Sequence, residues 1–92
     1  MNSFTTEYFR KHYALLPAAI KKQVKESYKL FKANQYHPSL RFKRVHSYRP
    51  IFSVRITKDY RAVGILEKDK IIWFWIGSHS EYDILLKKLK KK

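Results

Sequence analysis

The chain has 92 residues, the size of one domain, and carries 21 Lys and Arg against 7 Asp and Glu, a formal net charge of +14. With 45% hydrophobic and 16% aromatic residues it is too apolar for a disordered basic tail, and with 2 Gly and 3 Pro it holds no low-complexity linker. It has no cysteine, which excludes a disulfide framework and a Cys-based zinc site; so large a positive excess points to a polyanionic partner.

Residues 1–10 carry Glu7 and Arg10 where a secretory leader would be apolar. The longest apolar run, residues 71–76, is far short of the roughly 20 residues that span a bilayer. These features predict a cytoplasmic protein with no membrane partner. The first predicted element is a helix capped by Ser3 or Thr5, with Tyr8, Phe9, Tyr13 and Leu16 on one face. Pro17 opens a second helix. Its stripe is Ile20, Val24, Tyr28 and Phe31, opposite Lys21, Lys22, Lys25, Lys29 and Lys32. Asn34 and Pro38 end it, so the first third reads as a helical hairpin.

The period then changes from 3.6 to 2. Leu40 and Phe42 alternate with Arg41 and Lys43, and Phe52, Val54 and Ile56 alternate with Ser53, Arg55 and Thr57. A turn at Lys58-Asp59 leads to a strand over 60–66, and a turn over 67–70 leads to IIWFWIG. That run is apolar throughout, as for a central strand buried on both faces. Short turns imply an antiparallel meander. Ser80 and Asp83 read as the capping box of a short final helix, held by Ile84, Leu85 and Leu89, with lysines at 87, 88 and 90–92 near its C-terminus. The predicted fold is α+β, residues 1–92 as a single domain: an N-terminal helical hairpin packed on one face of a four-stranded, mainly antiparallel sheet, then a short C-terminal helix.

A hairpin covers one sheet face. The other face inherits Arg41, Lys43, Ser53, Arg55, Thr57 and Arg61. Guanidinium forks match phosphate oxygens, so this face is the predicted phosphate-binding surface. The lysines of the second helix suggest an amphipathic membrane-surface helix, but its apolar stripe is needed to cover the sheet.

The four histidines, His12, His37, His46 and His79, show no metal-ligand spacing, and no cofactor is predicted. His79 stands apart. It follows the buried strand and precedes the final helix, where a side chain is held rigidly at the sheet end. Metal-free RNA cleavage needs a base for the 2′-OH, fixed cations for the phosphoryl oxygens and an acid for the leaving 5′-oxygen. Histidine serves as acid or base near neutral pH.

HPSLRFKRV (37–45), SVRITKDYRAVGIL (53–66) and IIWFWIGSHSEYD (71–83), in that order after two helices, resemble the RelE/ParE superfamily of bacterial toxins from type II toxin–antitoxin modules. The Gly-Ser-His segment is similar to that of the YafQ-type members. The resemblance implies the RelE-like toxin fold and a ribosome-dependent mRNA endonuclease that inhibits translation. It also implies a cognate antitoxin, acidic where it meets this chain, with the ribosome and mRNA as further partners. It makes Arg55 the transition-state arginine, Arg61 a second active-site arginine, His79 the general acid and Tyr82 a functional tyrosine. Arg41, Lys43 and Arg44 would hold RNA phosphates. The chain departs from members that use a carboxylate base before the first long strand, because Pro38 and Ser39 stand there and no Asp or Glu lies between Glu26 and Asp59. His37, His46 or a lysine are the candidate bases. Two other readings stay open: the ParE branch, which poisons DNA gyrase and lacks the nuclease residues, and a non-catalytic nucleic-acid-binding module.

Overall fold

The computed structural model describes residues 1–90; Lys91 and Lys92, the end of the lysine run, lie outside the described residues. In chain order the elements are β1 (Asn2–Thr5), α1 (Glu7–Ala14), α2 (Ala18–Ala33), a 3-10 turn (Pro38–Leu40), β2 (Lys43–Arg44), β3 (Ile51–Thr57), β4 (Tyr60–Glu67), β5 (Lys70–Ser78) and α3 (His79–Lys90). The architecture is α+β, and the strands form one sheet in the order β1-β5-β4-β3-β2. β2 to β5 make the predicted antiparallel meander, with the turn at Lys58-Asp59 where it was expected.

The sheet has five strands rather than four. Residues 2–5, expected to lead into the first helix, pair parallel with β5 from Asn2↔Lys70 to Thr5↔Trp73. Four residues are too few to display an alternation; this strand forms because β5 offers it an edge. The chain leaves β1 at Thr6, whose N–H donates to the Trp73 carbonyl at 3.0 Å. The Thr6 hydroxyl accepts from Phe9 N at 3.2 Å, so Thr6 caps α1 in place of Ser3 or Thr5. Pro17 is likewise the cap of α2 and not its first residue.

β5 carries the core on both faces through a bulge. Val63 pairs with Trp75 while Gly64 pairs with Trp73, which leaves Phe74 as the extra residue. Residues two apart on a regular strand share a face. The bulge sends Trp73 into the core beneath α1 and α2 and Trp75 into the core beneath α3. Gly64 is required here, since a Cβ would meet the Trp73 ring at 2.8 Å and the Ile72 carbonyl at 3.0 Å.

The two N-terminal helices are splayed. α1 packs over β5 and α2 over β3, and a groove of about 1020 Å³ separates them. Phe9, Tyr13, Val24, Tyr28, Phe31 and Trp73 line it, and Arg10, Lys25, Lys29 and Lys32 rim it. Of the predicted faces, Phe9 and Phe31 are buried, but Tyr8 and Tyr28 are exposed. Tyr8 stacks on His12 with 4.0 Å between ring centroids.

Leu40 to Phe42 do not form the predicted strand, which is reduced to Lys43–Arg44. Leu40 closes the 3-10 turn and is buried, and Arg41 adopts the left-handed conformation at φ 46°. The alternation read there came from one buried Leu and one half-buried Phe in a turn.

The second sheet face is also less open than expected. α3 lies over it and buries Ile51, Val63 and Trp75, together with Ser53, which had been assigned to the solvated face. No helix among the described residues is long and apolar enough to cross a membrane.

Candidate active site

Arg55 on β3 and Arg61 on β4 are directly paired across the strands. Like charges placed opposite each other cost a sheet stability, and among the described residues neither is held in an ion pair. The ion pairs among those residues are Glu7–Lys11, Glu67–Lys70 and His79–Asp83. Burial lowers the proton affinity of Arg61, and the charges of Arg55 and Arg41 lower it further; Tyr82 and Asp83 oppose the shift.

The Arg61 guanidinium is nevertheless fixed. One terminal nitrogen donates to the carbonyls of Thr57 (2.7 Å), Tyr60 (3.0 Å) and Lys58 (3.3 Å), which ties the guanidinium to the β3–β4 turn. Its Cζ lies 6.0 Å from the centre of the Tyr82 ring.

On the other side of Arg61 lies Gly77 of β5. A Cβ there would meet the Trp75 ring at 2.8 Å and Glu81 Oε1 at 2.9 Å, so glycine lets α3 begin directly at the strand end. The capping box sits two residues earlier than Ser80 and Asp83. Glu81 N donates to Ser78 Oγ at 3.3 Å, and Ser78 N donates to Glu81 Oε1 at 2.9 Å. His79 is therefore the first residue of α3 and not a loop residue. Its N–H donates to the Asp59 carbonyl at 2.7 Å, which locks the helix start to the β3–β4 turn beside Arg61. The His79 Nδ1 faces Asp83 Oδ2 at 3.3 Å, with half of each side chain exposed. An imidazole oriented by a carboxylate through Nδ1 presents Nε2 for proton transfer.

The two bonds from Ser78, the backbone one being the larger effect, hold the Glu81 carboxyl below the usual carboxylate range. A depressed carboxyl stabilises the fold fully above its unfolded pKa, and that contribution is lost as pH falls through the folded value. Glu81→Gln is expected to lower the thermal midpoint at neutral pH, with the gap to wild type closing below about pH 4. A gap that stays constant through the acid range would contradict the capping-box reading.

Tyr82 is buried at 5% exposure, and its hydroxyl donates to Ser53 Oγ at 2.9 Å. Its ring lies beneath the site and fastens α3 to β3. Arg41 shares a cleft of about 790 Å³ with Arg55, between α2 and the 3-10 turn. Lys43 pairs with Ser53 and shares the face of Arg55. Arg44, the next residue along, alternates away from that face, and its Nε donates to the His46 carbonyl at 2.9 Å.

The structure gathers Arg55, Arg61 and His79 at one end of the sheet and leaves Arg44 at the other end of β2. His46 does not join them. Its Nε2 donates to the Leu89 carbonyl at 2.9 Å, and its Nδ1 accepts from Tyr48 N (3.1 Å) and Arg49 N (2.9 Å). Both ring nitrogens are in use, which removes His46 as a candidate base. His37 caps the 3-10 turn, its Nδ1 accepting from Ser39 N at 3.2 Å.

Sequence reasoning overlooked Asp59 and gave Asp83 a capping role. The meander offered a signal for Asp59, because the β3–β4 turn and the end of β5 must lie at the same end of the sheet. Among the described residues no group of three or more His, Cys, Asp or Glu side chains is placed to hold a metal ion.

A family model described as a ParE-like toxin domain matches residues 18–84. By sequence alone, no curated protein matches the chain significantly. Several solved structures share its fold. A chain of the RelB–RelE antitoxin–toxin complex from Methanococcus jannaschii is 22% identical, with a TM-score of 0.71 over 88% of this chain and 96% of that one. A YoeB/ParE toxin from Agrobacterium tumefaciens is 14% identical, with a TM-score of 0.70 over 86% and 99%. YafQ from E. coli is 12% identical, with a TM-score of 0.69 over 88% and 96%. At these identities the likeness is one of fold.

Proposed function

The chain belongs to the ParE-like toxin domains of the RelE/ParE superfamily, and from that premise we propose that it is a ribosome-dependent mRNA endonuclease. The observation that carries the reading is the Arg55–Arg61 pair, neither held in an ion pair among the described residues, beside a carboxylate-oriented His79. In this reading the two guanidiniums bind the non-bridging oxygens of one phosphate. The 2′-oxygen attacks phosphorus and passes its proton to solvent water, the P–O5′ bond breaks, and His79 Nε2 donates a proton to the leaving 5′-oxygen. The products are a 2′,3′-cyclic phosphate and a 5′-hydroxyl. DNA lacks the attacking group and is not a substrate. With Pro38 and Ser39 where a carboxylate base would stand, the rate rests mainly on the arginines' electrostatic stabilisation and positioning. Arg41 and Lys43 hold the RNA on the β2 side of the arginine pair, and Tyr82 positions α3 from below.

The ParE description favours a second reading, poisoning of DNA gyrase. Induced expression in a bacterial host separates the two. An mRNA endonuclease halts protein synthesis first and leaves cuts in ribosome-bound mRNA. A gyrase poison halts replication first and leaves mRNA intact.

The antitoxin partner follows from two of the neighbours, which are RelB–RelE complexes. The groove between α1 and α2 is apolar on its floor and ringed by Arg10, Lys25, Lys29 and Lys32. It suits an amphipathic helix with acidic flanks. Binding of the purified antitoxin is expected to weaken about tenfold or more between roughly 0.1 and 1 M salt. A salt-independent complex would contradict this dock.

A further inference from the structure

The loop 45–50, between β2 and β3, presents a feature unrelated to the arginine pair. Tyr48 is 84% exposed, and it does not stand in a slack segment. The His46 ring accepts from the N–H groups of Tyr48 and Arg49 and donates to the last turn of α3. Val45 N donates to the Ile51 carbonyl at 2.8 Å, Ile51 N to the Arg49 carbonyl at 2.8 Å, and Leu66 N to the Pro50 carbonyl at 2.9 Å. Arg44 Nε closes the loop on the His46 carbonyl. Ordering a loop costs conformational entropy, yet the Tyr48 ring gains little packing in return: its aromatic neighbour is His46, at 6.2 Å between centroids. The backbone that carries this ring is held in place, and the ring itself stands open to water, where a flat partner can reach it. The charges beside it, Arg44 and Arg49, are positive, and the sequence supplies no acid between Glu26 and Asp59 to offset them.

We propose that this loop is a second RNA contact, in which Tyr48 stacks an unpaired base while Arg49 holds the adjoining phosphate and Arg44 braces the loop. The inference rests on the RNA reading of the arginine site and deepens it. β3 links the two places. Arg55 lies four residues beyond Ile51, roughly 13 Å along a strand. Lys43, on the outer strand β2 opposite Ser53, stands between them. A single strand laid along this sheet edge would meet Tyr48 a few nucleotides from the phosphate at Arg55. The loop would thereby help set which phosphate enters the site.

The test uses the full chain and a short 2′-O-methyl RNA, which cannot be cut through its 2′-oxygen, carrying a 2-aminopurine reporter. Tyr48→Ala is expected to raise the dissociation constant about tenfold and to relieve stacking quench of the reporter, while Tyr48→Phe keeps both. Arg49→Ala should reduce the salt slope of binding by about one. In cleavage of mRNA on purified ribosomes, Tyr48→Ala should raise KM and spare kcat. Wild-type affinity and quench in Tyr48→Ala would overturn the platform and leave the endonuclease reading standing. No measurable affinity of the wild type for this RNA would overturn the platform, whereas intact ribosome-bound mRNA after induced expression would overturn the endonuclease reading. Weakened antitoxin binding with unchanged RNA binding would assign the loop to the protein partner and overturn the proposal.

Discussion

Arg55→Ala and His79→Ala are each expected to slow mRNA cleavage on purified ribosomes by about two to three orders of magnitude. The two losses have different causes. Arg55 would stabilise charge on the phosphoryl oxygens, a contribution made mostly in the transition state, so kcat falls with little change in KM. His79 would supply a proton to the leaving 5′-oxygen, so its loss slows the bond-breaking step. Stability separates these effects from misfolding. Removing Arg55 removes the like charge opposite Arg61, so Arg55→Ala is expected to be at least as stable as wild type while being far less active. Asp83→Asn is the companion variant. It leaves the fold intact and removes the charge that orients the His79 Nδ1, and it should reduce cleavage less than His79→Ala does. Undiminished cleavage in both alanine variants would remove these residues from the mechanism.

The arginine pair was legible only in part. With Lys58-Asp59 read as the turn, both arginines must lie near the same end of adjacent strands, but a strict period of two would pair Ile56 with Arg61 and put Arg55 on the opposite face. The irregularity between Arg55 and Thr57 is what brings Arg55 opposite Arg61. The start of α3 was less legible. Ser78–Glu81 and Ser80–Asp83 both satisfy the capping pattern, and the choice between them is made by Gly77, which permits close approach, and by the Asp59 carbonyl, which takes the His79 N–H. β1 was not legible, because its pairing energy belongs to β5. Nor was the bulge at Phe74, which sends Trp73 and Trp75 to opposite faces. A continuous apolar run looks the same with or without it. The covering of the second sheet face was hidden for a related reason. Ser53 reads as a solvated strand residue until Tyr82, twenty-nine residues later, reaches its hydroxyl.

That contact makes Tyr82 the position where the largest effect on stability is expected. Tyr82→Ala removes a buried aromatic ring from beneath α3 and is expected to cost about 3–5 kcal/mol in denaturant unfolding, a large part of the roughly 5–15 kcal/mol available to a small domain. Tyr82→Phe keeps the ring and removes the donor to Ser53 Oγ, which is 2% exposed as a residue. It is expected to cost about 1–2 kcal/mol, because a buried hydroxyl then loses its partner. Ser53→Ala in that background should recover most of the loss, since removing both partners leaves no orphaned polar group. The same series tests the assignment of Tyr82 as a positioning residue. Its hydroxyl is committed to Ser53. Tyr82→Phe and the Tyr82→Phe, Ser53→Ala pair should therefore cleave with near wild-type kcat wherever they are fully folded. A loss beyond about tenfold in kcat with the fold intact would give the hydroxyl a direct part in proton transfer and overturn that assignment.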